Sequence, residues 1–367
     1  MRRLARFLVG LGVGLAALVV TVQFVGVADV VARARRLAAW ALVAVVALVV
    51  SEALVDGLGV WASTQPLGSG LDGRDSLRFA LAGDFFDTVS PAGPVSSEPI
   101  VARFLSVATG TGYADALGVR STAKYVKSGS QLAVSAALGV LVVATGSVPT
   151  GTGTTTAADA TASGTNTATA TAPSGPSAAV IVGTLVAATV GLILVGIAAV
   201  RARGALSRLV VAVLTPVVRR LSGLWRAEPY GRAAVVAAVD RFWGRALVFG
   251  ERPRLLGTIA VAGVAEQLLT AGALWVALAG TGSTAAYVPL VALVPLPQVA
   301  SVVPIPGSVG AYDLLLVGAI VAVVAVPASA ATAAVLVVRT TALPVAFVVG
   351  GVAAATLRGW TPRSADG

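Results

Sequence analysis

The chain contains no cysteine and no histidine. Their absence removes disulfides, thiol nucleophiles, imidazole bases and His/Cys metal sites together. A redox enzyme or a zinc protease is thereby excluded, and neither a metal nor a cofactor is expected. Charge is also scarce: Asp, Glu, Lys and Arg make up 11% of the 367 residues, where a soluble domain carries about 25%. Lysine is nearly missing, with 2 against 24 arginines, and the acids run 11 Asp to 5 Glu. That bias suggests a GC-rich, archaeal genome.

Apolar residues are abundant, at 57% of the chain, and they come in runs long enough to cross hydrocarbon, which takes about 20 residues. Phe7–Val27, Gly129–Val148 and Ala178–Val200 carry no charge. Leu37–Ser63 holds Glu52 and Asp56, Leu255–Ala279 holds Glu266, and Ala330–Leu357 holds Arg339. The expected fold class is all-α, a polytopic transmembrane helical bundle. The first run is too long for a signal-peptide core and no small-residue cleavage site follows it, so it reads as a retained span.

Residues 149–177 are rich in Thr, Ala, Gly and Ser, with Asp159 as the one charge. Such a composition cannot bury a core and predicts a disordered loop. It separates a first membrane half, 1–148, from a second, 178–357, with a tail at 358–367. Residues 201–254 hold eleven arginines against Glu228, Asp240 and Glu251. Beside spanning helices such a segment marks the cytoplasmic side, which places the Thr-rich loop outside. Arg2, Arg3 and Arg6 at one end, and Arg358 and Arg363 at the other, predict cytoplasmic termini in the cell membrane. Arg33, Arg35 and Arg36 would then face outward. Within 201–254 the apolar positions Leu206, Leu209, Val213 and Val217, and later Val235, Val239, Phe242 and Ala246, fall at helical spacing. They describe basic amphipathic helices, either lying on the inner membrane surface or capping the spans. No aromatic platform accompanies the arginines, so nucleic acid is not an expected partner.

Two interruptions share one pattern. Pro91 opens a break with Gly93 and is followed seven residues on by Glu98; Pro306 opens a break with Gly307 and Gly310 and is followed seven residues on by Asp313. Proline removes a backbone donor and glycine relaxes the chain, so neither segment runs as one helix. In hydrocarbon such backbone survives only where it is buried in protein or lines a cavity. Segments 77–108 and 288–327 are therefore expected to dip in and return, from opposite faces, as re-entrant segments of an inverted repeat.

Ionisable groups at membrane depth are expensive and point to function. Arg103 and Arg339 offer planar arrays suited to a lipid phosphate, and Glu98 and Asp313 suit a cationic or hydroxylated headgroup. The alternative is that these groups neutralise one another to hold the bundle. Asp84 and Asp87, three apart, line a polar path, bind a coupling cation, sit protonated, or lie at the surface. Glu52 and Asp56 share a helix face, and Glu266 adjoins Gln267; these either contact a polar wall or serve a substrate. No Ser/His pair, Walker motif or glycosyltransferase acidic motif occurs, so an enzyme is not expected.

The stretch Pro306-Gly307-Ser308-Val309-Gly310-Ala311-Tyr312-Asp313 resembles the proline–glycine-rich loop ending in an acid of the lysylphosphatidylglycerol synthase transmembrane region family. Pro91 to Glu98-Pro99, followed by Arg103, is similar to that family's first loop, and Arg339 sits where the family tends to place an arginine. The resemblance covers about residues 1–357. It implies a flippase-like membrane domain, which in bacterial relatives moves aminoacylated phosphatidylglycerol and precedes a transferase domain. Here Asp313 replaces the usual Glu and the Thr-rich tract is an addition; the domain is expected to stand alone. The implied partners are membrane lipids, an anionic phospholipid or a polyprenyl phosphate, and a separate transferase. A lipid translocator leads; a non-catalytic subunit scaffolding a glycosyl- or aminoacyl-transferase, and an ion-coupled solute transporter, are its rivals.

Overall fold

The computed structural model describes residues 32, 35, 37–90, 94–145, 178–223, 230–296 and 311–358. The run Phe7–Val27, the whole Thr-rich tract, and Pro91, Gly93, Pro306, Gly307 and Gly310 lie outside the described residues. Among the described residues every regular element is helical. In chain order these are α1 (Ala39–Thr64), α2 (Gly73–Val89), α3 (Pro94–Thr109), α4 (Tyr113–Ala144), α5 (Ala178–Arg201), α6 (Arg203–Ser222) and α7 (Arg232–Leu247). A 3₁₀ turn (Val248–Glu251) leads into α8 (Pro253–Gly280), α9 (Tyr287–Leu293), α10 (Ala311–Val324) and α11 (Ala328–Pro344). A π-helical turn, Val345–Val349, joins α11 to α12 (Gly350–Thr356). Among the described residues, five helices are long and apolar enough to cross a membrane: α1, α4, α5, α8 and the composite Ala328–Thr356. The protein is a helical membrane protein.

Local signals explain the boundaries. Asp72 caps α2 by accepting from the Asp75 amide at 2.7 Å, which satisfies a helix-end donor. Ser90 turns to extended backbone and ends α2. Pro253 opens α8, where its missing donor costs nothing. Pro344 inside the last span frees a backbone carbonyl, and the π turn directly after it takes up the mismatch.

α1 and α8 run antiparallel along their length: the Ala38 amide donates to the Gly280 carbonyl at 3.4 Å, and Thr270 Oγ1 donates to Glu52 Oε1 at 3.0 Å. α4 runs parallel to α8, with Gln131 Nε2 donating to the Gly263 carbonyl at 2.8 Å and Gln267 Nε2 to Ser135 Oγ at 2.7 Å. A Cβ at Gly263 would stand 2.9 Å from the Lys127 side chain, so glycine is what admits that lysine. α2 and α3 form a hairpin that starts and finishes at one end of the bundle, where a Cβ at Gly68 would meet the Thr109 carbonyl at 2.7 Å. At ~1.5 Å per residue, these helices of 17 and 16 residues reach about 25 Å, less than a full crossing.

The first end also carries the basic segment. α7 packs on the start of α4, so closely that a Cβ at Gly118 would lie 2.5 Å from the Phe242 carbonyl oxygen. Arg245 donates to Asp115 Oδ1 at 2.9 Å and to the Pro66 carbonyl at 2.8 Å. α7 is therefore a cap seated on the spans. α6 differs: Leu209, Val213 and Val217 stay exposed.

One span is longer than its apolar run. The charge-free stretch from Gly129 is only the latter part of α4, which begins at Tyr113 and includes Arg120, Lys124 and Lys127. Those charges do not end the helix because acids from neighbouring helices meet them.

Candidate functional site

The apolar core is split in two. On α1, Val45 and Val49 belong to one cluster and Val60 and Ala62 to the other; on α4 the division falls between Ala123 and Leu132, and on α8 between Ile259 and Ala271. Glu52 and Asp56, Lys124 and Lys127, and Glu266 fill those three gaps. The result is a polar layer between two apolar ones, halfway along the spans. A cavity of about 250 Å³ opens in it, lined by Glu52, Asp56, Asp84, Asp87, Lys127, Glu266 and Arg339. A smaller one of about 60 Å³ shares Asp56, Asp84, Asp87, Lys127 and Glu266 and adds Arg120 and Lys124.

The cations stand on one face of α4. Arg120, Lys124 and Lys127 follow i, i+4, i+7, and this spacing stacks them along one side of a helix. Arg120 grips Glu98 with both arms, Nε to Oε2 at 3.0 Å and a terminal nitrogen to Oε1 at 3.0 Å. Lys124 donates to Glu98 Oε1 at 2.8 Å and to Asp87 Oδ2 at 3.1 Å. Lys127 reaches Asp56 Oδ1 at 2.7 Å and Glu266 Oε2 at 2.5 Å. Arg339, also in the cavity lining, donates through Nε to Asp313 Oδ1 at 2.6 Å.

The residues singled out in the sequence are thus partly brought together. Asp84 is exposed, and what it faces is the cavity; no ion pair to it occurs among the described residues. Asp87 also accepts from Ser97 Oγ, which ties α2 to α3 near the hairpin tip. Glu98 and Asp313 are absent from the cavity lining, yet each binds a cation that is part of it. Arg103 is not brought in: it is exposed on α3 and lines neither cavity. Glu98 is met instead by Arg120; Glu98 and Arg103, five apart, point to different sides of the helix. Gln267 is buried between α4 and α9, with donors to Ser135 and the Val291 carbonyl. Seven carboxyls (Glu52, Asp56, Asp84, Asp87, Glu98, Glu266, Asp313) stand against four cations (Arg120, Lys124, Lys127, Arg339), an excess of three.

Arg120, Lys124 and Lys127 were not anticipated from the sequence. Two signals point to them: Lys124 and Lys127 are the chain's two lysines, and Lys124 follows Glu98 by 26 residues, as Arg339 follows Asp313.

The family model of the lysylphosphatidylglycerol synthase TM region matches residues 7–350. The chain belongs to that family. Membership in the lysylphosphatidylglycerol synthase transmembrane region family agrees with the helical, membrane-crossing architecture and points to a lipid-related role in the membrane. No curated protein and no solved structure matches the chain.

Proposed function

We propose that the protein is a lipid translocator: it passes a phospholipid or polyprenyl-phosphate headgroup through the polar layer while the tails stay in the bilayer. The observation that carries this reading is the cavity itself, a charged space halfway along the spans and between the α2–α3 hairpin and Arg339 of α11. A headgroup in hydrocarbon must have its charge sheltered. Arg339 and Lys127 suit the phosphate, whereas the surplus of carboxyls favours a headgroup that also bears a cation or hydroxyls. The cavity's cations are each paired with an acid, which suits sheltering rather than covalent catalysis, so a non-enzymatic role is the reading adopted.

A repeat with re-entrant arms supports it. Adding 215 to the bounds of α1 gives 254–279, beside α8 at Pro253–Gly280; the ends of α3 and α10 and the starts of α4 and α11 coincide under the same shift. Pro91, Glu98 and Lys124 then correspond to Pro306, Asp313 and Arg339. Because α1 and α8 run in opposite senses, the relation is that of an inverted repeat, the plan on which many transporters build a midplane site. With α7 on the cytoplasmic side, α2–α3 dips in from the cytoplasm and α9–α10 from outside, and the C-terminus is cytoplasmic. One crossing by Phe7–Val27 gives the N-terminus the same side.

The test is leaflet-resolved exchange of labelled lipids in vesicles containing the purified protein. Wild type speeds exchange of at least one class among zwitterionic, anionic, amine-bearing and polyprenyl-phosphate lipids, and Arg339→Ala abolishes that gain. A folded protein that moves none of them removes the translocator reading and leaves the scaffold of a separate transferase.

A further inference from the structure

Asp56 and Glu266 meet over one lysine. Lys127 Nζ lies 2.7 Å from Asp56 Oδ1 and 2.5 Å from Glu266 Oε2, so one ammonium holds both carboxyls. An ionised carboxylate only accepts, so two of them have no hydrogen to place between them. Glu266 is 7% exposed, and its Oε1 has no donor among the described residues. It is a buried acceptor on the wall of both cavities, left short of one hydrogen.

Among the described residues, the surroundings do not supply the missing positive charge. Glu52 on α1 and Asp84 and Asp87 on α2, which share the cavity wall with the pair, are acids and bring no positive charge. The cations other than Lys127 are committed: Arg120 on α4 to Glu98 of α3, Lys124 to Glu98 and Asp87, and Arg339 on α11 to Asp313 of α10. A single lysine between two carboxylates leaves one negative charge at membrane depth, which costs several kcal/mol. One proton on the pair removes that charge and gives one of its carboxyls a hydrogen to donate.

We propose that Asp56 and Glu266 form a proton-binding site, in which one proton is shared between the two carboxyls against the Lys127 ammonium and exchanges with water in the cavity. Loading forms one O–H bond on a carboxyl oxygen at the expense of a hydronium ion; unloading returns the proton to water and leaves a carboxylate. Because the interaction is strong, the proton belongs to the pair rather than to either residue. Glu52, on the same cavity wall, has a neighbour that suits either of its protonation states: Thr270 Oγ1 lies 3.0 Å from Glu52 Oε1 and 3.0 Å from the Glu266 backbone carbonyl. That hydroxyl can donate to an ionised Glu52, or turn to the carbonyl and accept from a protonated one.

Infrared spectroscopy of the full chain in lipid nanodiscs at neutral pH tests the site whether or not any lipid moves. Wild type should show a protonated-carboxyl band that shifts in deuterium oxide. The band should respond both to isotope labelling of Asp carboxyls and to labelling of Glu carboxyls, a measurement that needs no variant. Glu266→Gln and Asp56→Asn, checked for retained helicity, should each remove this component. No such band in wild type, a band that answers to one label alone, or a band that survives Asp56→Asn in full would overturn the shared site.

Discussion

Replacing Arg120 by Met probes how far the polar layer depends on its ion pairs. The guanidinium and Glu98 are 14% and 13% exposed at the side chain, so solvent screens them little. Among the described residues, removing Arg120 takes the one donor of Glu98 Oε2 and one of two from Oε1, which keeps Lys124 at 2.8 Å. Breaking a buried pair costs about 3–5 kcal/mol when the survivor is stranded. Lys124 remains in place and offsets part of this, so the expected loss is about 2–3 kcal/mol, roughly that of one or two charge-assisted bonds. Glu98→Met strands Arg120 more fully and should cost about 3–5 kcal/mol. The double variant leaves neither charge, and methionine fills the space with apolar atoms. Its loss should fall below the sum of the two single losses by at least about 1 kcal/mol. Reversible unfolding of the purified protein in mixed micelles, followed by tryptophan fluorescence, reads all three. Strictly additive losses would refute the reasoning, because they would show that the two side chains do not depend on each other.

Gly118→Val should unseat α7, since its Cβ would stand 2.5 Å from a backbone oxygen that cannot rotate away; a destabilisation of about 1–3 kcal/mol is expected, with faster proteolysis near Arg241 as the readout. For orientation, Ser69→Cys at the α1–α2 turn should resist an impermeant maleimide in intact cells while Thr284→Cys after α8 reacts; the opposite pattern inverts the assignment of sides. Asp313→Ala added to Arg339→Ala should recover stability lost by the single arginine variant without restoring lipid exchange, measured by micelle unfolding and vesicle assay in parallel. The Arg339 side chain is 42% exposed, so that recovery should be small, under about 1 kcal/mol.

The helices of the bundle were legible because their apolar runs are long: the bounds read for α1, α5, α8 and the final span fall within a few residues of those observed. The start of α4 was not, and the reason is electrostatic. Hydropathy registers Arg120, Lys124 and Lys127 as the end of a span, whereas acids on α1, α3 and α8, distant in sequence, neutralise them inside it. The same cause hid their place in the site. An acid at Glu98 announces that a cation is needed, but the nearest in sequence, Arg103, lies on another side of the helix. The true partners lie 22 and 26 residues away, on the next helix. The partner of Arg339 was within reach of sequence reasoning, since a charge in the last span requires a counter-charge and the acid of the second break was a candidate.

The near absence of lysine gives the polar layer a chemical signature of its own. Every side-chain amine in the chain belongs to Lys124 or Lys127, and both border the cavities. An amine-directed acylating reagent applied to the folded protein therefore addresses two positions besides the chain terminus, and each acylation adds a fixed mass while erasing one positive charge. The extent of labelling becomes a footprint of whatever fills the cavity. Occupancy by a headgroup, opening to one leaflet or closure to both can be counted in a mass spectrum without engineering a reporter into the protein.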